Sequence, residues 1–171
     1  MKLMKDVFLT HSVEIRTTSE KIFEFFFALV DDESYRAWHP DDHVALRWVK
    51  GSPWQEGSVV YAEEYFHGKL HKLTFGIMKV VPNRRIEFAP VSRFLRRYAP
   101  MNTFSIEPKE SSCIFTSTAH LRLPLLSRLL ARKSVKRGVS SARKHIEEEV
   151  ENLKKILETG EHSHNKMLDR K

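Results

Sequence analysis

Val13 and Ile15 alternate with polar neighbours through His11-Ser-Val-Glu-Ile-Arg-Thr-Thr, the period of two that marks a half-buried strand. Thr18 or Ser19 can cap a helix that starts near Glu20, and Ile22, Phe23, Phe26, Phe27 and Val30 form its apolar face. The acidic run Asp31-Asp-Glu and then Trp38-His-Pro-Asp-Asp-His break the pattern and predict a loop. Between residues 44 and 123 strand-like segments alternate with turn signals: Gly51-Ser-Pro, Glu56-Gly, His67-Gly, Pro82-Asn, Pro100-Met-Asn and Pro108-Lys-Glu. The spacing predicts about five or six antiparallel strands and leaves too little chain for crossover helices.

After Pro124 the period changes. Val135, Val139, Ala142, Ile146, Val150, Leu153 and Leu157 recur at three- and four-residue steps, predicting one long helix. Residues 125–130 read as its first turns or as a separate short helix. The predicted fold class is therefore α+β, a curved antiparallel sheet wrapped around a long C-terminal helix, with residues 1–158 in one domain and 159–171 a disordered tail. A curved sheet closed by a helix leaves a cavity between them.

Composition adds three limits. With 171 residues the chain can bury a core large enough to fold without disulfides or a structural metal, and the single cysteine, Cys113, lies in an apolar run that predicts a buried, inert thiol. The longest apolar stretch, Ile22 to Val30, is interrupted by Glu24 and is too short to span a bilayer. No apolar core or cleavage site follows Lys2, Lys5 and Asp6, so a cytoplasmic location is expected. The net charge of +7 gathers in Arg93-Phe-Leu-Arg-Arg-Tyr and in residues 128–137. An acidic membrane surface could bind such patches, but neither interleaves bases with stacking aromatics, and no nucleic-acid partner is expected.

Three constellations carry candidate chemistry. His145 and Glu149 stand four residues apart on the long helix and project together. The charged run around them would ordinarily face solvent, yet Glu149 falls in the sector of Ala142, Leu153 and Ile156, where a carboxylate needs a cation, a proton or a metal. Gly138, on the same side, favours open space there. His39 and His43 follow the first helical segment, and a histidine at a strand mouth is aimed more reproducibly than one in a loop, which favours His43 and keeps His39 as the alternative. Glu63 and Glu64 are adjacent in a strand, so one faces the helix and the other the outer side, where Lys69, Lys72 or Lys79 can pair with it. Two histidines and two carboxylates suit Zn²⁺, or less specifically Fe²⁺ or Mn²⁺. No phosphate loop, dinucleotide fingerprint or serine-hydrolase motif is present.

In this order of elements the chain resembles the START-like, or SRPBCC, superfamily with the helix-grip fold of the birch pollen allergen, over about residues 10–158. Tyr35-x-x-Trp38-His39-Pro40-x-Asp42-His43, Gly57-Ser-Val-Val-Tyr-Ala-Glu-Glu and His145-Ile-Glu-Glu-Glu-Val-Glu-Asn-Leu resemble segments of its diacetylphloroglucinol hydrolase group. The resemblance implies zinc held by His43, Glu64, His145 and Glu149, and cleavage of the bond between an acyl group and an aromatic or β-diketone carbon. A nearby acid such as Glu63 or His39 would hand a proton to the departing carbon. The resemblance also carries two alternatives, a non-enzymatic carrier of lipids or polyketides and a metal-free polyketide cyclase or dehydrase. In each the partner is a small hydrophobic or aromatic molecule, in a cavity lined or floored by Phe23, Phe26, Phe66, Phe75, Phe88, Phe104 and Trp48, although most of these rings would be ordinary core.

Overall fold

A computed structural model describes residues 4–124 and 131–160 of the chain. The expected helix at 125–130 and most of the expected tail lie outside the described residues.

The first strand, β1 (Met4–Ile15), is longer than the predicted one. Val7 and Leu9 continue the alternation of Val13 and Ile15, so one face of the whole segment turns inward. Helix α1 (Ser19–Phe27) is capped by the Thr18 hydroxyl, which accepts the Lys21 N–H, and stops three residues short of Val30. The acidic run is a helix start and not a loop. Asp31 accepts the Ser34 N–H at 2.8 Å and the Ser34 hydroxyl takes the Asp31 N–H at 3.2 Å, a reciprocal cap that opens α2 (Asp32–Trp38).

Six strands follow: β2 (His43–Lys50), β3 (Val59–Phe66), β4 (Lys69–Val81), β5 (Arg85–Pro90), β6 (Met101–Pro108) and β7 (Cys113–Pro124). Between β5 and β6 the basic segment forms α3 (Arg93–Tyr98), capped by Ser92. Helix α4 (Arg132–Thr159) ends on Gly160, whose φ of 70° stops it in the left-handed conformation.

All strands join one antiparallel sheet in the order β1-β7-β6-β5-β4-β3-β2. β1 and β2 therefore form opposite edges, and α1 and α2 bridge them. Hairpin β3–β4 closes over His67 and Gly68, both at positive φ, the turn whose twist matches the strands. In β2 a register shift between His43 and Ala45 bends the strand where it leaves α2.

The apolar core is centred on Phe26. It is fully buried, with ring centres of Phe104 at 4.9 Å, Trp54 at 5.5 Å, Phe115 at 5.7 Å and Trp38 at 5.7 Å. Helix α4 lays Ile146, Val150 and Leu153 against the sheet. Its second half is tied to β1 and the turn after it: His11 Nε2 lies 3.0 Å from Glu151, and the Arg16 N–H donates to Glu158 at 2.9 Å. Cys113 is buried, and burial raises its thiol pKa, as an inert core thiol requires. No described helix is long and apolar enough to cross a membrane.

Candidate metal centre

Four elements converge at one end of the space between sheet and helix. α2 contributes Tyr35, the start of β2 contributes His43, β3 contributes Glu64, and α4 contributes His145 and Glu149. All are buried. One ligand atom from each of His43, Glu64 and His145 lies within 4.8 Å of the others. Glu149 Oε1 stands 3.0 Å from His43 Nε2 and 3.5 Å from His145 Nε2, and Glu64 Oε2 is 3.8 Å from His145 Nε2.

Both imidazoles are aimed by their other nitrogen. His43 Nδ1 donates to the Tyr35 carbonyl at 3.0 Å, and its ring stacks on Tyr35 with centres 3.8 Å apart. His145 Nδ1 lies 3.0 Å from Asp42 Oδ2. Each Nε2 is thereby turned toward the carboxylates, an orientation that outer hydrogen bonds commonly impose on metal-binding histidines. The Tyr35 hydroxyl donates to Glu64 Oε1 in a very short contact, and the Trp38 indole N–H donates to the Glu149 carbonyl at 2.9 Å.

The charges are strongly interdependent. Burial disfavours a charged His145, but the carboxylates of Glu149 and Glu64 and the bond to Asp42 outweigh it and push its pKa from 6.5 up to about 10. Burial opposes ionisation of Glu149 too, yet His145 and His43 hold it well below the usual carboxylate range. Tyr35 is raised well above the ordinary phenol value by burial first and then by Glu64 and Glu149, so it remains a donor.

Tyr35, Glu64, His145 and Glu149 also form one wall of a cavity of about 400 Å³ that runs on under the sheet. Its remaining lining is mainly apolar, with Phe66, Phe75, Phe88 and Phe104 prominent. Of the other rings expected there, Phe23 and Phe26 belong to the packed core, while Trp48 ties its indole N–H to the Leu29 carbonyl.

No protein-family model matches the sequence, and no curated protein matches it. Solved structures do. TTHA0849 from Thermus thermophilus superposes with a TM-score of 0.64 at 15% identity, covering 88% of this chain and 97% of its own. The Polyketide_cyc-like protein Cgl2372 from Corynebacterium glutamicum gives 0.58 at 16%, covering 95% and 98%. A point mutant of norcoclaurine synthase from Thalictrum, in complex with a transition-state analogue, gives 0.59 at 12%, covering 84% and 95%. The chain has the helix-grip fold.

Within the grip, His43, Glu64, His145 and Glu149 are brought together. Glu63 is not. It lies on the opposite face of β3, with the Tyr61 hydroxyl donating to it at 2.6 Å and Lys72 at 3.8 Å, because adjacent strand residues point to opposite sides. A role for Glu63 as proton donor in the cavity is therefore overturned. His39 is buried beside the cluster, its ring centre 5.0 Å from that of His145, but it does not line the cavity. Gly138 opens no space in the cavity: a Cβ there would sit 3.9 Å from His67 Nε2, in ordinary contact. Tyr35 and Asp42 stand in the quoted sequence segments but are missing from the predicted ligand and helper set. The reciprocal cap Asp31-x-x-Ser34 is the signal that would have found Tyr35, since it starts a helix that puts Tyr35 and Trp38 on one face.

Proposed function

We propose that the protein is a metal-dependent hydrolase that cleaves a carbon–carbon bond of an acylated phenol or a β-diketone-like small molecule. His43, Glu64, His145 and Glu149 would hold the ion, with Zn²⁺ the first choice and Fe²⁺ or Mn²⁺ the alternatives. The observation that carries this reading is the 3.0 Å contact between His43 Nε2 and Glu149 Oε1. The Tyr35 carbonyl can only accept, so the proton of a neutral His43 sits on Nδ1 and its Nε2 lone pair faces a carboxylate oxygen. Such a contact needs a positive particle between the two atoms, a proton or a metal ion. The donor set fits the ion, since two neutral imidazoles and two carboxylates balance a divalent charge.

When bound, the ion supplies Lewis acidity, polarising a ketone oxygen and lowering the pKa of water, provided a ligand yields or the coordination shell expands. The chain's residues do the rest. Tyr35 fixes one oxygen of Glu64 and leaves the other free, while Asp42 takes the His145 Nδ1 proton and holds the ring. The phenylalanine-lined wall fits an aromatic ring and excludes water around the departing carbon. Tyr35 lines the cavity but its proton is held on Glu64, so the hydrogen that reaches the departing carbon would come from the attacking water, in place of the transfer expected of Glu63 or His39. In the balanced reaction the oxygen of water ends on the acyl carbon, giving a carboxylic acid, and a hydrogen replaces the acyl group on the ring.

Elemental analysis of protein purified without chelator is expected to find about one zinc per chain at this quartet. Stripping it should abolish acid release from an acylphloroglucinol while far-ultraviolet circular dichroism stays unchanged. The alternative of a carrier or a metal-free cyclase draws on the raised pKa of His145, which as a cation would balance Glu149 without an ion. Absence of metal, together with no zinc uptake in titration, would decide for that alternative.

A further inference from the structure

Behind His145, on the side away from the cavity, lies a second group of ligand atoms. One atom each from His39, Asp42 and His145 falls within 4.8 Å of the others. His145 Nδ1 is 3.0 Å from Asp42 Oδ2, and His39 Nε2 is 3.9 Å from the same oxygen. Glu148, one residue before the inner ligand Glu149, adds Oε2 at 3.4 Å from His39 Nε2, while its Oε1 is held by Lys144 at 3.0 Å. The side chain of His39 is 2% exposed, and its Nε2 is buried without a hydrogen-bond partner. An orphaned buried nitrogen is costly, and here it is turned toward two carboxylates.

We propose that His39, Asp42, Glu148 and His145 Nδ1 form a second divalent-cation site, and that His145 is shared between it and the inner quartet. The donor set repeats that of the inner site, two imidazole nitrogens and two carboxylates, which suits zinc. Asp42 and Glu148 have side chains 28% and 38% exposed, so the outer ion has a path from solvent that does not cross the cavity. The cation takes the place of the proton between His145 and Asp42. At His39, Nδ1 accepts the Asp42 N–H at 3.2 Å, which puts the proton of the neutral ring on Nε2. Metal binding at Nε2 moves that proton to Nδ1 and breaks this bond, and the Asp42 N–H then rests on the His39 carbonyl alone, which it already reaches at 3.3 Å. With both sites filled, His145 releases both ring protons to solvent and bridges as an imidazolate; its charge and those of the four carboxylates are offset by the two divalent ions together with Lys144, which lies 3.0 Å from Glu148.

The outer site does not depend on the hydrolase reading, and metal counting separates the two. Full-length protein stripped with chelator is titrated with zinc alone, and bound metal is counted after dialysis. About two equivalents are expected in the unchanged protein, and about one in His39→Gln, in Glu148→Gln and in Glu64→Gln. Glu148 is partly exposed, so its variant keeps the test valid should His39→Gln fail to fold. One equivalent in the unchanged protein that neither His39→Gln nor Glu148→Gln removes would overturn the outer site and leave the inner one standing. One equivalent that survives Glu64→Gln and is lost in Glu148→Gln would support the outer site and overturn the inner one. Zero equivalents would overturn both. Copper gives a second readout, because two ions bridged by one imidazolate couple magnetically. The paramagnetic signal per copper should be well below that of Glu148→Gln, and full intensity at two coppers would overturn the bridge.

Discussion

Phe26 and His145 are both buried and both ringed by aromatic side chains, yet they are held in opposite ways. Around Phe26 the partners are Phe25, Trp38, Trp54, Phe104 and Phe115, and the gain comes from removing carbon surface from water and packing it densely. Around His145 the near neighbours are Asp42, Glu64 and Glu149 together with the rings of His39, His43 and Phe66. That group is favourable only in one state of charge. The apolar hub stabilises the fold at any pH, whereas the polar one makes stability conditional on a proton or an ion. Trp38 joins them, its ring 5.7 Å from Phe26 and 5.2 Å from His43 and its N–H on Glu149.

The contrast is broken most sharply at its apolar pole. Phe26→Ala is expected to cost about 3–5 kcal/mol, measured by urea unfolding, since a cavity opens where five rings meet. At the polar pole, Glu149→Gln would, on sequence grounds, relieve a buried charge. With His43 and His145 both on that carboxylate, it is expected instead to destabilise the metal-free protein by about 1–3 kcal/mol and to weaken zinc uptake in dialysis. Tyr35→Phe removes the hydrogen bond to Glu64 and should weaken zinc binding by about 10- to 100-fold, with the fold retained.

The pH dependence of the metal-free protein sharpens the same distinction. His145 has a raised pKa, so its contribution is complete below 6.5 and is lost as pH climbs toward about 10. Glu149 has a lowered pKa, so its contribution is complete above 4.5 and is lost on acidification. The unfolding midpoint should therefore be highest between pH 4.5 and 6.5 and fall on both sides, and His145→Gln should flatten the alkaline limb. Smallest of all, Glu63→Gln removes a pair with Lys72 at 3.8 Å on the outer face and should change stability by less than about 1 kcal/mol and zinc uptake not at all.

Much of this was written in local pattern. The three- and four-residue recurrence in α4 placed Glu149 inward, and the turn signals between strands foretold an antiparallel sheet. Alternation showed that one of Glu63 and Glu64 faces the helix but not which one. That choice depends on the register of β3 against β2, where His43 pairs with Glu64, a contact between residues far apart in the chain. Asp42 escaped for a related reason. Its part depends on how α2 turns into β2 beneath a helix that begins only at Arg132, and no periodicity encodes that meeting, whereas Tyr35 was within reach of the local cap at Asp31 and Ser34.

The attachment of α4 has one further consequence. Its buried residues run from His145 to Leu153; Trp38 fastens it at Glu149, and His11 and Arg16 fasten it beyond. The stretch from Arg132 to Ser141 contributes no buried residue. Mechanically the helix is a cantilever, clamped hardest at the ligand atoms and, among the described residues, held toward its basic end by half-buried packing such as that of Val139. Deflection grows with distance from a clamp, so a bulky guest displaces the basic end more than it changes the spacing of His145 and Glu149. The volume available to a ligand and the geometry of the ion-binding side chains are in this way mechanically decoupled.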